Sequence, residues 1–171
     1  MTVSCGILKK MLEKEQPDSK TPITPASICA WVAQQFDVKD TEVGLLKLSG
    51  TLLHFLHPAA LKTAGAIPLA SSSVAARTAR TQQAVVFNHF ANVDHFSVFE
   101  LVKLGDSRGD EQVIQKLMSA PLLAPDGKAV GVIQVSRKAS CLSAAGPDFT
   151  KDDLEKLEHV GRVVGKLMSG Q

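Results

Sequence analysis

The sequence contains no tyrosine, and aromatic residues make up only 5% of its 171 residues. Without tyrosine, no phenol is available for acid–base catalysis. The sequence also lacks a glycine-rich phosphate-binding loop, a GxSxG nucleophile elbow and an HExxH zinc motif. These absences weigh against the common nucleotide-dependent, hydrolase and metalloprotease classes, so the sequence predicts a protein that is not an enzyme.

Cysteine is scarce and charge is balanced. Cys5, Cys29 and Cys141 are widely spaced, and an odd count without a CxxC pair argues against a disulfide framework and a cysteine-type zinc site. The formal net charge is only +2, and no dense Lys/Arg run is present. No apolar run reaches the length of a membrane span, and the start MTVSCGILKKMLEKEQ lacks a signal-peptide core. We expect a soluble, cytoplasmic protein that binds neither nucleic acid nor a membrane.

The chain is long enough for one domain with a substantial core, and too short for two ordinary ones. Residues 1–23 end in a proline-rich break and are predicted to be an N-terminal arm or linker. Residues 24–170 are the predicted domain. Thr24 followed by Pro25 predicts a helix start, and Thr150 predicts the start of the last helix.

Two pairs of apolar runs predict β-hairpins. Runs 42–49 and 51–57 flank Ser49-Gly50, and runs 117–123 and 129–135 flank Pro125-Asp126-Gly127-Lys128. Because side chains alternate along a strand, His54 and His57 should point to opposite faces and cannot chelate one metal.

The second hairpin carries a resemblance to a known family. Met118-Ser119-Ala120-Pro121-Leu122-Leu123, the turn Asp126-Gly127-Lys128 and the strand Gly131-Val132-Ile133-Gln134-Val135 resemble the signature hairpin of GAF domains. Ile67-Pro68-Leu69 followed by Ser72-Ser73-Val74-Ala75-Ala76-Arg77 is similar to the part of the family after the second strand. Phe149-Thr150-Lys151-Asp152-Asp153-Leu154 is similar to its entry into the last helix.

The resemblance implies an α+β, GAF-like (profilin-like) fold. A central antiparallel sheet of five to six strands is expected, with the first and last helices together on one face. Segment 71–102, with a helix at 71–81, is expected to cover the other face and enclose a pocket.

The segment 88–96 has the most unusual local composition in the chain, with two His, two Asn, an Asp and two Phe. Converging groups of this kind can hold a metal, but His89, Asp94 and His95 follow no known metal spacing, so no metal site is predicted. Together with the implied pocket, the composition gives a set of candidate ligand-binding residues. They are Arg77, Phe87, Asn88, His89, His95, Phe96 and Phe99.

The resemblance implies a small-molecule-binding sensory or regulatory module in signal transduction, which forms a homodimer through its terminal helices. It identifies neither the ligand nor a cofactor. The alternatives are a ligand-free dimerisation scaffold and a small redox enzyme that uses Cys141. Some GAF domains are methionine sulfoxide reductases that have cysteines around the pocket, and bilin-binding members also have a cysteine there. This sequence departs from both patterns, because it has no cysteine between Ala30 and Ser140. The signature of cyclic-nucleotide members is matched only in part, at Arg137-Lys138, Phe149 and Asp152-Asp153.

The last helix carries a pair of small residues, Gly161 and Gly165, on one face. Such a pair permits a close approach either to the chain's own sheet or to a second copy of the helix. The sequence leaves both possibilities open.

Overall fold

The computed structural model describes residues 23–63, 65–90 and 113–170. Nine α-helices and strands follow one another within these ranges. They are α1 (Pro25–Phe36), β1 (Val43–Ser49), β2 (Leu52–His57), β3 (Ala66–Pro68), α2 (Val74–Thr81), β4 (Val85–Phe87), β5 (Val113–Leu123), β6 (Ala129–Ala139) and α3 (Lys151–Ser169).

The strands form one antiparallel sheet in the order β3-β2-β1-β6-β5-β4. Helix α3 packs on β5 and β6, and α1 packs on β1 and β2. Both terminal helices share one apolar cluster, whereas α2 belongs to a second cluster on the opposite face. The predicted α+β fold, with six strands and the terminal helices together on one face, is confirmed.

Local capping fixes where the two terminal helices begin. The Thr24 hydroxyl accepts a hydrogen bond from the Ser27 amide at 3.2 Å, and the Ser27 hydroxyl accepts one from the Thr24 amide at 2.9 Å. Thr150 and Asp153 form the same reciprocal pair at the start of α3. Each capping box satisfies two backbone donors that the first turn leaves unpaired. Both predicted helix starts are confirmed.

Glycine makes the two predicted hairpin turns possible. Gly50 joins β1 to β2 with φ at 62°, and Gly127 joins β5 to β6 with φ at 84°. Residues with a Cβ rarely adopt this left-handed region. The two hairpins therefore form where the sequence predicts them.

Strand β3 is not among the strands of the two predicted hairpins. It begins at Ala66, and in it Ile67 pairs with Leu53 and Pro68 with Leu52. Three residues are too few to show strand periodicity, and a proline suits an edge strand because it has no N–H to donate. The last strand also runs on to Ala139, beyond the end of the predicted apolar run 129–135.

The glycines of α3 face the chain's own sheet. A methyl group at Gly161 would collide with the carbonyl oxygen of Pro121, and one at Gly165 would collide with the backbone of Leu123. Helix α3 therefore lies directly against β5. Of the two possibilities left open by the sequence, packing on the chain's own sheet is correct, and a dimer seam through these glycines is excluded.

Replacing Gly161 with alanine should lower the free energy of unfolding by about 1–3 kcal/mol, because the added methyl group forces α3 away from β5. Gly170→Ala is the matched control. A methyl group added at Gly170 would have its nearest neighbour at 3.7 Å, and the φ of Gly170 is −84°, so we expect a change within about 0.5 kcal/mol. Urea denaturation measures both variants. A Gly161→Ala variant as stable as the parent protein would contradict this packing.

Candidate functional site

Helix α2 approaches the sheet closely because the side chains that face it are small. The Ser73 hydroxyl caps the helix by accepting the Ala76 amide at 3.1 Å. Ala75, Ala76 and Ala79 are buried against the sheet. A helix is therefore present within the predicted range 71–81, although it begins at Val74 rather than at the start of that range.

Three polar side chains meet beneath α2. The hydroxyl oxygens of Thr78 and Ser119 are 2.8 Å apart, and the Gln134 amide donates to the Ser119 hydroxyl at 3.3 Å. Thr78 and Ser119 are wholly buried, and Gln134 is 4% exposed. We call Thr78, Ser119 and Gln134 the polar cluster. It joins α2 to neighbouring positions of β5 and β6.

The polar cluster lies on the α2 side of the sheet, where the other buried side chains are mostly apolar. Burying polar groups costs free energy that only hydrogen bonds offset. Gln134 bonds to the cluster through its amide nitrogen. The cluster contains hydroxyl and carboxamide groups but no charged group, so it suits a neutral hydrogen-bonding ligand.

The predicted ligand-binding residues that the structure describes do not form one cluster. Arg77 is exposed on α2, among buried neighbours that face the sheet. Phe87 is half-buried, and its ring lies 6.1 Å from that of Phe90. His89 is exposed. Within the described residues, none of Arg77, Phe87 and His89 is hydrogen-bonded to the polar cluster, and their role in ligand binding stays a prediction.

Asn88 holds the loop before α3. Its amide nitrogen donates to the Phe149 carbonyl at 3.0 Å, and its carbonyl oxygen accepts from the Phe149 amide at 2.8 Å. Both polar atoms of the Asn88 side chain are thus engaged by one backbone unit. The remaining candidates, His95, Phe96 and Phe99, lie outside the described residues.

The same loop is bound by two cations. The Lys116 ammonium group is almost fully buried and donates to the Gly146 carbonyl at 2.7 Å and to the Asp148 carboxylate at 2.6 Å. The hydrogen bond from Lys116 lowers the pKa of Asp148. Arg137 lies 4.7 Å above the Phe149 ring. Two positions of the partial cyclic-nucleotide signature, Arg137 and Phe149, therefore contact each other.

Arg137 also connects this loop to the end of α1. Its guanidinium donates to the carbonyl oxygens of Phe36 at 3.0 Å and Asp37 at 3.2 Å. The last carbonyls of a helix carry partial negative charge, which a cation stabilises. Arg137 of β6 thus contacts both the end of α1 and the loop before α3.

The described residues contain no group of three His, Cys, Asp or Glu side chains that could hold a metal ion. His54 is exposed and His57 is buried, so they lie on opposite faces of β2, as strand alternation predicts. His57 instead lies 3.3 Å from the Asp40 carboxylate. Of the candidate metal residues, Asp94 and His95 are among those that the structure leaves undescribed.

The two described cysteines differ in environment. Cys29 is buried in α1, and burial raises the pKa of its thiol. Cys141 is exposed, and hydrogen bonds, first from Ser143 and then from the Ala144 amide, lower the pKa of its thiol. Cys141 is thus the more reactive of the two.

The polar cluster was missed at the level of sequence, although a signal for it exists. Ser119 and Gln134 each interrupt an apolar strand at a buried position, where a hydrophobic residue is the ordinary choice. The alternation along β6 puts Gln134 on the face opposite Ile133 and Val135. What the sequence could not provide was the position of Thr78 above them.

Comparison with known proteins identifies the family. A model described as GAF domain matches residues 22–169, which is most of the chain. The chain belongs to the GAF domain family. None of the curated proteins matches it.

Solved structures share the fold of this GAF domain at low sequence identity. The GAF domain of Acinetobacter phosphoenolpyruvate-protein phosphotransferase is 12% identical, with 99% of this chain and 96% of that chain covered and a TM-score of 0.67. The reduced form of fRMsr from Staphylococcus aureus is 20% identical, with 97% and 98% covered and a TM-score of 0.56. A type II free methionine-R-sulfoxide reductase from Thermoplasma acidophilum is 13% identical, with 95% and 96% covered and a TM-score of 0.57.

At these identities the likeness establishes the fold alone. Neither a sensory protein nor a reductase is singled out by it, because this one fold carries both. Across the described parts of the GAF domain, no helix is both long and apolar enough to cross a membrane.

Asn88→Ala should lower the free energy of unfolding by about 1–3 kcal/mol, because it leaves the buried Phe149 backbone without its partners. Arg77→Ala should change it by less than about 0.5 kcal/mol, because Arg77 is exposed. Urea denaturation of both variants distinguishes a structural side chain, Asn88, from an exposed one, Arg77. Equal losses of stability would contradict the assignment of Asn88 to the loop before α3.

Proposed function

We propose that this GAF domain is a small-molecule-binding regulatory module in signal transduction. The observation that carries this proposal is the polar cluster, a buried group of neutral hydrogen-bonding side chains between α2 and the sheet. A scaffold that needs only stability gains little from burying Thr78, Ser119 and Gln134, since apolar residues would avoid the cost of desolvation.

The cluster suggests the class of ligand. It offers hydroxyl and carboxamide groups but no formal charge, and half-buried Phe87 and Val85 pack against the apolar cluster on the same side of the sheet. A neutral, flat molecule that donates a hydrogen bond to Gln134 and contacts apolar side chains fits this chemistry. Binding sites are commonly apolar with a few polar groups that set orientation.

A conformational change caused by ligand binding at the polar cluster would reach α3 through β5. Ser119 and Lys116 lie on the same strand, and Lys116 is bonded to Asp148, just before α3. Asn88, directly after β4, is bonded to the adjacent Phe149. A homodimer that uses α1 and the outer face of α3 would receive such a change, and we place the module in the cytoplasm, where its unpaired cysteines stay reduced.

Native mass spectrometry of gently purified protein, compared with the denatured mass, tests ligand binding. We expect excess mass that is lost on denaturation, and Gln134→Leu should lose most of it while remaining folded by circular dichroism. Gln115→Leu is the matched control, because Gln115 is also buried but bonds to the Ala139 carbonyl at the other end of β5. If Gln134→Leu kept the excess mass, the polar cluster would not be part of the ligand-binding site.

A ligand-free scaffold is the alternative that the packing of the α2 side favours. Leu53, Phe55, Phe90 and Leu117 are buried there, so the chain's own side chains fill much of the space. A dimer without excess mass, in the parent protein and in both variants, would favour the scaffold over the sensor.

A thiol-dependent reductase is the second alternative, because Cys141 is exposed and has a lowered pKa. We expect Cys141→Ser to leave all measurable activity unchanged, including the thiol-dependent reduction of free methionine-R-sulfoxide. That reaction converts two thiols to a disulfide and releases the sulfoxide oxygen as water. Activity in the parent protein that disappears in Cys141→Ser would overturn the proposal of a protein without catalytic activity.

A further inference from the structure

A cleft of about 310 Å³ lies between the linker that joins α2 to β4, the second half of β5, and α3. It lies beside the edge of β5, next to α3, and Ala84 packs against the apolar cluster of the terminal helices. The cleft is lined by Gln82, Gln83, Ala84, Pro121, Leu123, Glu158 and Arg162.

The cleft exists because β4 is short. The first residue of β4, Val85, pairs with Ser119, so within the described residues no strand lies beside β5 from Ala120 onward at this edge. The linker turns away at Gln82, which ends α2 with φ at 56°. Pro121 has no N–H, so the uncovered edge presents no backbone donor at that position.

The walls of the cleft carry one positive and one negative side chain. The Arg162 guanidinium and the Glu158 carboxylate are 3.5 Å apart, and their side chains are 59% and 37% exposed. A strong hydrogen bond between such groups is about 2.7–2.9 Å long. Each group therefore retains hydrogen-bonding capacity for a ligand, and Ala84, Pro121 and Leu123 supply apolar surface next to them.

We propose that the cleft binds a small zwitterion of the α-amino acid type. Its carboxylate would bind Arg162 and its ammonium group would bind Glu158, while an apolar side chain contacts Pro121 and Leu123. An acid without an amine would be repelled by Glu158, and an amine without an acid would be repelled by Arg162. The volume corresponds to about ten water molecules at roughly 30 Å³ each, which accommodates an amino acid with a short side chain.

This site is separate from the proposed regulatory site. The two share no residue. A zwitterion site could therefore be absent while the polar cluster binds its ligand, and the reverse also holds.

Chemical-shift titration of the isotope-labelled protein tests the site, with L-norvaline as the probe. We expect saturable shifts of the backbone amides of residues 82–84 and 158–162, with a dissociation constant in the millimolar range. Pentanoate lacks the ammonium group and butylamine lacks the carboxylate, so each should bind at least about tenfold more weakly. The absence of saturable shifts, or equal binding of all three compounds, would overturn the proposal.

Variants of two residues on α3 test which ligand group each charged side chain binds. Arg162→Gln and Glu158→Gln should each weaken L-norvaline binding at least about tenfold. Lys151→Gln is the matched control, because Lys151 and Glu155 form another exposed pair with the same spacing on α3 but do not line the cleft. Unchanged affinity in Arg162→Gln, or an equal loss in Lys151→Gln, would contradict the assigned geometry.

Discussion

The close contact between α3 and β5 is the constraint on which the rest of this GAF domain depends. Gly161 and Gly165 have no side chains, so the helix backbone lies against the backbone of Pro121 and Leu123. At this distance, the neighbouring apolar side chains of α3 extend past the contact and share one core with α1. Since the glycine face is occupied within the chain, any dimer that uses α3 has to use its outer side chains.

The two sides of the sheet differ in the buried side chains that they carry. The core under α1 and α3 consists almost entirely of apolar side chains, which gives stability without directional bonds. The side under α2 contains the polar cluster, in which Thr78, Ser119 and Gln134 depend on one another for hydrogen bonds. Buried polar groups cost stability unless they are hydrogen-bonded, and the three members of the polar cluster bond to one another.

Local chemistry explains which features the sequence could predict. The capping residues Thr24 and Thr150 and the turn glycines Gly50 and Gly127 act within a few positions of themselves, so they are readable without a structure. The candidate site depends on contacts between distant positions. Asn88 bonds to a backbone unit 61 positions away, and the Thr78–Ser119 contact spans 41 positions. Neither contact follows from spacing, and β3 is too short to show a period.

The free energy that hydrogen bonds to the polar cluster can supply limits which ligand could switch this domain between two states. A neutral hydrogen bond contributes about 0.5–1.5 kcal/mol, so three such bonds give at most about 4.5 kcal/mol. Moving a two-state equilibrium from 1:99 to 99:1 needs about 5.5 kcal/mol of differential affinity. Hydrogen bonds to Thr78, Ser119 and Gln134 therefore cannot switch the domain alone. At about 25 cal/mol per Å², an effective ligand must also bury several tens of Å² of apolar surface in one state only, and the side chains beside β4 and β5 provide that surface.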